Sequence, residues 1–246
     1  MKSKNQKNVV IADAVRYNRK EFKYLIPNEI IDIIIPELLS YMEPDKFSEK
    51  GFYPIYSVYF DTEDWQAYSA KMAGLQHRKK FRIRTYHDDP EKDEPVFLEV
   101  KEKFGNRIYK RRMPLNFNDA KDFTEKFKRL RIDNPIYDEW QREIARNRIK
   151  PKLLNYYLRR AFWSPNFPGL RITIDRDVSY TRTNDVNFRK PMSKVDWARG
   201  KSVLEIKYDN FLPMFVISII RRYNLTTQPV SKYADSVLSS YLSNRE

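Results

Sequence analysis

The chain has 246 residues, with 47 Lys and Arg against 33 Asp and Glu, a formal charge of +14, and no cysteine. Disulfides, thiolate metal centres and cysteine nucleophiles are therefore excluded, and two histidines, His77 and His87, are too few for an ordinary zinc hydrolase. The five glycines fall in no dinucleotide-binding or Walker A spacing, which argues against Rossmann and P-loop nucleotide sites.

Apolar residues make up 41% and aromatics 15%, enough to build a core. The most apolar stretch, 214–220, falls short of the roughly 20 residues that span a bilayer, and the basic N-terminus has no apolar signal-peptide region. The expectation is a soluble, cytoplasmic protein: a loose basic tail over 1–15, then a single domain over 16–246. Its positive charge calls for a polyanionic partner.

In chain order, Ile30, Ile31, Ile34, Leu38 and Tyr41 follow Pro27 at helical spacing and predict a helix over 28–42. Segment 53–60 is rich in β-formers. Asp61-Thr62 then reads as the cap of a helix carrying Trp65, Tyr68 and Met72, stopped by Gly74. Alternation predicts strands over 80–86 and 96–103, and Gly105-Asn106 turns the second into a hairpin with 108–115. Amphipathic helices follow over 118–130 and 137–148. Strands over 153–162, 170–176 and 203–208 precede helices over 211–222 and 232–242. The class is α+β with mostly antiparallel pairing.

Charge falls in these strands with a fixed parity. Side chains two apart share a face, so Arg82 joins Arg84, Glu99 joins Lys101 and Lys103, and Lys110 joins Arg112. Arg171, Thr173 and Asp175 form a fourth set, and Glu205 with Lys207 a fifth. A solvated outer face explains any single strand. Five such faces, with several amphipathic helices needing a surface, instead suggest a closed antiparallel β-barrel with a charged lumen and helices packed outside. So many cations together require an anion. Arginine suits phosphate oxygens, and a few carboxylates suit a divalent metal bridging them.

The motifs that carry these charges are R-K-E-F-K-Y (19–24), S-V-Y-F-D-T (57–62), F-R-I-R-T-Y (81–86), F-L-E-V-K (97–101) and Y-K-R-R (109–112). Y-L-R-R-A-F (157–162), L-R-I-T-I-D (170–175), V-L-E-I-K (203–207) and S-K-Y (231–233) follow. In this order they resemble the VTC domain, the polyphosphate polymerase branch of the CYTH or triphosphate-tunnel superfamily. The resemblance implies a tunnel that binds ATP and growing polyphosphate, with phosphates held by Lys23, Arg82, Arg84, Lys101, Lys110, Arg112, Arg159 and Arg171. It also implies Mn2+ or Mg2+ at Glu205 and a catalytic Lys232 with Ser231 beside it. The opening Arg19-x-Glu21-x-Lys23 departs from the Glu-x-Glu-x-Lys of tunnel triphosphatases, which favours the polymerase. The SPX domain and membrane helices of eukaryotic relatives have no counterpart in these 246 residues, so regulation by inositol phosphates and coupled translocation do not carry over. A membrane partner remains compatible with the sequence. The competing readings are a triphosphatase or polyphosphatase, a non-catalytic polyphosphate or nucleotide sensor, and a nucleic-acid-binding protein. Basic residues at strand parity, not on an exposed helix or groove, argue against the last.

Overall fold

The computed structural model describes residues 11–12 and 19–243. Its elements in chain order are β1 (Ile11–Ala12), β2 (Lys20–Pro27), α1 (Asn28–Leu39), β3 (Glu43–Pro44), β4 (Tyr53–Asp61), α2 (Gln66–Met72), β5 (His77–Thr85), β6 (Pro95–Phe104) and β7 (Arg107–Asn116). They continue with α3 (Phe117–Glu125), α4 (Pro135–Asn147), β8 (Lys150–Trp163), β9 (Arg171–Arg182), β10 (Ser193–Lys194), β11 (Lys201–Tyr208), α5 (Met214–Arg222) and α6 (Lys232–Leu242). The chain divides into two compact units: residues 1–15, 56–154 and 182–189, and residues 16–55, 155–181 and 190–246. The tail expected over 1–15 lies outside the described residues except for Ile11–Ala12, which pair antiparallel with Arg111 and Arg112.

In the first unit β4, β5, β6 and β7 form an antiparallel layer in that order. One face is apolar: Phe81 pairs with Val100, and Ile83 with Leu98, which pairs in turn with Met113. All are buried. α4 covers this face through Trp140, whose indole stands edge-on to Phe60 at 4.9 Å and Phe81 at 5.2 Å between ring centroids. Tyr59, Phe60 and Trp65 are core residues, as their sequence setting predicts. Asp61 caps α2 as expected, accepting from the N–H groups of Ala67 and Tyr68 at 2.9 and 3.1 Å.

The second unit holds β8 from residue 155 onward, then β9, β11 and β2 in neighbouring order. α1 and α5 pack on its apolar face, where Ile31, Ile34, Leu38, Val216 and Ile219 meet Tyr24, Ile26, Ile172, Ile174, Leu204 and Ile206. The full burial of these side chains is the main stabilisation available to the unit.

Six helices and predominantly antiparallel strands bear out the α+β class. The closed barrel does not follow from the observed pairings. Among the described residues the hydrogen-bonded strand order ends on β1 at one side and on β2 at the other, and these two strands do not pair. Strand parity reports which side of a strand is polar; it carries no information on whether the outermost strands meet.

Several boundaries moved for local reasons. The helix expected over 118–130 ends at Glu125, because Phe127 takes a left-handed backbone (φ 55°) and the ammonium groups of Lys126 and Lys128 fold back onto Asp122 at 2.8 and 2.9 Å. α4 starts two residues early, with Pro135 in its first turn and Asn134 accepting from the Ile136 N–H at 2.9 Å. α5 starts late because Pro213 is its N-cap. β2 is a strand that the sequence analysis above does not predict, although its charged motif, R-K-E-F-K-Y, stands out there. α6 matches its predicted bounds. Among the described residues, no helix is long and apolar enough to cross a membrane.

Candidate functional site

Each unit presents a charged face opposite the apolar one, which α4 covers in the first unit and α1 and α5 in the second. In the first, backbone register builds cross-strand rows: Lys80, Lys101 and Lys110 in one, then Arg82, Glu99 and Arg112, then Arg84 with Phe97. Tyr59 and Ser57 extend the second and third rows from β4. Glu99 is at the centre and only 1% exposed. Its carboxylate accepts from Arg82 at 2.6 Å, with Lys110 at 3.5 Å and Arg84 at 3.9 Å.

Burial alone would raise the Glu99 carboxyl, but Arg82, Arg84 and Lys110 outweigh it and hold it far below the usual carboxylate range. Glu99 thus keeps the guanidinium groups aligned while leaving the face net positive. Arg82 also donates to the Tyr59 hydroxyl at 2.8 Å, and Arg84 to Ser57 at 3.1 Å. Arg112 lies 4.8 Å over the Phe97 ring and donates to the Tyr86 hydroxyl at 3.4 Å. The structure therefore brings together five of the predicted phosphate ligands: Arg82, Arg84, Lys101, Lys110 and Arg112.

The second unit gathers the rest. Register places Lys23, Glu205 and Thr173 in one row and Glu21, Lys207 and Arg171 in the next. Lys23 contacts Glu21 at 2.8 Å, and Lys207 bridges Glu205 and Glu21. Burial would raise Glu205, yet Lys207, Lys23, Lys232 and Arg159 hold it well below the carboxylate range. Burial would lower Lys23, whereas Glu205 and Glu21 prevail and raise it.

Beside these rows lies Asp175, with no exposed surface. It accepts two parallel bonds from Arg159, at 2.6 and 2.8 Å, and contacts Lys232 at 2.6 Å. Burial opposes its charge, and the two cations more than restore it, keeping the acid ionised. Both cations stand over the Tyr157 ring, Arg159 at 5.3 Å and Lys232 at 5.0 Å from its centroid. Lys232 is the first residue of α6, and Asn155 donates to its carbonyl at 3.0 Å. A cavity of about 400 Å³ lined by Glu21, Lys23, Gln228 and Val230 opens beside Lys23, whose ammonium donates to the Val230 carbonyl at 3.4 Å.

Two predicted ligands have structural duties. Ser231 is the N-cap of α6, its hydroxyl accepting from Ala234 at 3.4 Å and its N–H donating to Asp235 at 2.9 Å. Arg171 is partly exposed and paired with Asp45 at 3.0 Å.

Sequence reading passed over Asp175, Tyr157, Tyr59, Lys207 and Lys80 as site members. For Asp175, Lys207 and Lys80 the signal was available, since their strand parity equals that of residues already chosen. The tyrosines carried none, because an aromatic in a strand reads first as core. His77 and His87 are exposed at or beside strand ends, outside both clusters.

Among the described residues, no group of three His, Cys, Asp or Glu side chains forms a protein-only metal cage. The donors present suit a hard divalent ion that completes its shell with phosphate oxygens and water. Glu205 and Glu21 share one ammonium, and the buried Thr173 hydroxyl in the Glu205 row has no hydrogen-bond partner.

A solved structure of a "putative adenylate cyclase" from Bacillus halodurans superimposes with a TM-score of 0.55 at 15% identity, covering 89% of this chain and 95% of that one; the likeness concerns the fold. A protein of the same description from Vibrio parahaemolyticus gives 0.43 at 12% identity, covering 89% and 97%. The PH1012 protein of Pyrococcus horikoshii gives 0.42 at 13%, covering 87% and 97%. No curated protein matches the chain. The VTC domain model matches residues 18–241, and with that extent of agreement the chain belongs to the VTC domain family.

Proposed function

We propose that this protein is an ATP-dependent polyphosphate polymerase. An oxygen at the end of a polyphosphate chain attacks the γ-phosphorus of ATP, the bond to the β–γ bridging oxygen breaks, and ADP leaves while the chain grows by one phosphate. Such transfers need positioning and charge neutralisation more than covalent help.

The observation that carries the proposal is Asp175, which holds Arg159 and Lys232 side by side as charged donors on a buried carboxylate. Lys232 stabilises developing negative charge on the transferred group. It is not a nucleophile, because its ammonium is committed to Asp175. Arg159 and Lys23 bind phosphate oxygens beside it. On the first unit Arg82, Arg84, Lys101, Lys110 and Arg112 bind successive phosphates, with Glu99 fixing the orientation of Arg82. Arg171 contributes charge at the margin, and Ser231 sets the start of α6. Mn2+ or Mg2+ held by Glu205 and Glu21 together with phosphate oxygens would supply further charge neutralisation. ATP and inorganic polyphosphate are the partners this chemistry requires.

The test follows the γ-phosphate of labelled ATP. The proposal requires label in acid-precipitable polymer, with one ADP released per phosphate added. Label recovered only as free phosphate would assign the hydrolase reading instead. Triphosphate binding without turnover would assign a sensor.

A further inference from the structure

At one end of the first unit the α2–β5 loop meets the β6–β7 turn, and this tip has no role in the site described above. The two segments are fastened together. Gly105 donates its N–H to the Gln76 carbonyl at 3.0 Å, and the His77 ring stands edge-on to Phe104 at 5.4 Å between centroids. Gly105 takes a left-handed backbone (φ 57°), which lets Gly105 and Asn106 close the hairpin by themselves. Four large apolar side chains stand at this tip: Met72, Leu75, Phe104 and Ile108, each 50–61% exposed.

Their placement and the charges around them narrow the choice of partner. Phe104 is register-paired with Arg107, and Ile108 with Lys103. Directly opposed residues share a face, so the hairpin end shows an apolar side chain on each of its two faces. A protein groove or a second copy would cover one face; a tip that is apolar on both suits a medium that surrounds it. Residues 65–86 and 103–116 contain no Asp or Glu, while Lys71, Arg78, Lys103 and Arg107 flank the tip. Glu102, next to Lys103, is engaged by His77 at 2.9 Å and by Arg111 at 2.8 Å. Polyphosphate or nucleic acid would use the cations and leave the apolar groups in water.

We propose that this tip docks the protein peripherally on an anionic lipid bilayer. Phe104, Leu75, Met72 and Ile108 enter the boundary between headgroups and acyl chains, and the flanking lysines and arginines meet the anionic headgroups. The inference does not rest on the polymerase reading. Withdrawing one large apolar side chain from water strengthens attachment by about tenfold or more, and each cation at the surface by about fivefold. The electrostatic part weakens as salt rises.

Sedimentation of the full chain with vesicles tests this, using phosphatidylcholine alone and phosphatidylcholine with about one-third phosphatidylserine. Wild type should bind the mixed vesicles and prefer them strongly to phosphatidylcholine. Leu75→Ser with Phe104→Ser should weaken that binding by about tenfold or more, with unchanged melting temperature and tripolyphosphate affinity, because both side chains are exposed and outside the phosphate face. Lys71→Gln with Lys103→Gln should weaken it by about fivefold per charge. Saturating tripolyphosphate should leave wild type on the vesicles. Equal vesicle binding by wild type and the Leu75, Phe104 variant overturns the proposal, as does release of wild type by tripolyphosphate, which would assign attachment to the phosphate face. No vesicle binding by wild type also overturns it; a concentration-dependent dimer lost in the same variant would then assign the tip to a second copy.

Discussion

Asp175→Asn separates the electrostatic account from one based on packing. The substitution keeps size and shape, so it opens no cavity, but it removes the carboxylate charge that Arg159 and Lys232 both contact. Asp175 is fully buried, with three contacts between 2.6 and 2.8 Å to those cations. Removing one partner of a buried ion pair costs about 3–5 kcal/mol, because the cations left behind stay desolvated and repel each other. For a chain of this size each kcal/mol lowers the melting temperature by about 2–4 °C, giving an expected fall of about 6–20 °C. Differential scanning calorimetry at pH 7 measures it. The same variant should lose polymer synthesis by at least tenfold, since Lys232 is no longer held in place. A fall below about 2 °C with undiminished synthesis would refute the claim that Asp175 organises this cluster.

Arg82→Ala should weaken tripolyphosphate binding by about tenfold or more, the order of one charge-assisted contact of about 1.5–3 kcal/mol, with a smaller loss for the more exposed Lys101→Ala; titration calorimetry at fixed ionic strength compares them. Glu205→Gln should abolish the stimulation of turnover by Mn2+ while leaving metal-free tripolyphosphate affinity equal or tighter, measured by activity across a metal titration and by calorimetry in chelator. The carboxyls of Glu99, Asp175 and Glu205 are all lower in the folded protein than in an unfolded chain. The stabilisation they provide is complete above the unfolded value near 4 and is lost as pH falls toward their folded values. Denaturant midpoints should therefore stay flat from about pH 7 to 5 and decline below about pH 4.

Much of this arrangement is legible in the sequence. Period-2 alternation placed Arg82 with Arg84, Glu99 with Lys101 and Lys110 with Arg112 on common faces, and the register confirms each pairing. The helix that begins at Lys232, and Asp61 as a cap, are also legible in the sequence, whereas the capping role of Ser231 is seen only in the structure. What remained hidden depends on contacts distant in sequence. Lys232 and Arg159 meet through Asp175, 57 and 16 positions away in the chain, and no local pattern predicts that meeting. Tyr157 and Tyr59 are buried aromatics whose ring face and hydroxyl serve cations, a use that strand periodicity cannot distinguish from core packing. The closed barrel was inferred from the same periodicity, which specifies faces and is silent on the pairing of outermost strands.

The most direct test of the central claim is steady-state synthesis of polyphosphate from ATP and Mn2+ by wild type and Lys232→Ala, with tripolyphosphate affinity measured on both proteins. The account predicts long polymer and stoichiometric ADP from the wild type, and a kcat lower by about 10²–10³ in the variant with affinity within a few-fold. Polymer made equally well without the Lys232 ammonium, or free phosphate as the only product of the wild type, would contradict it.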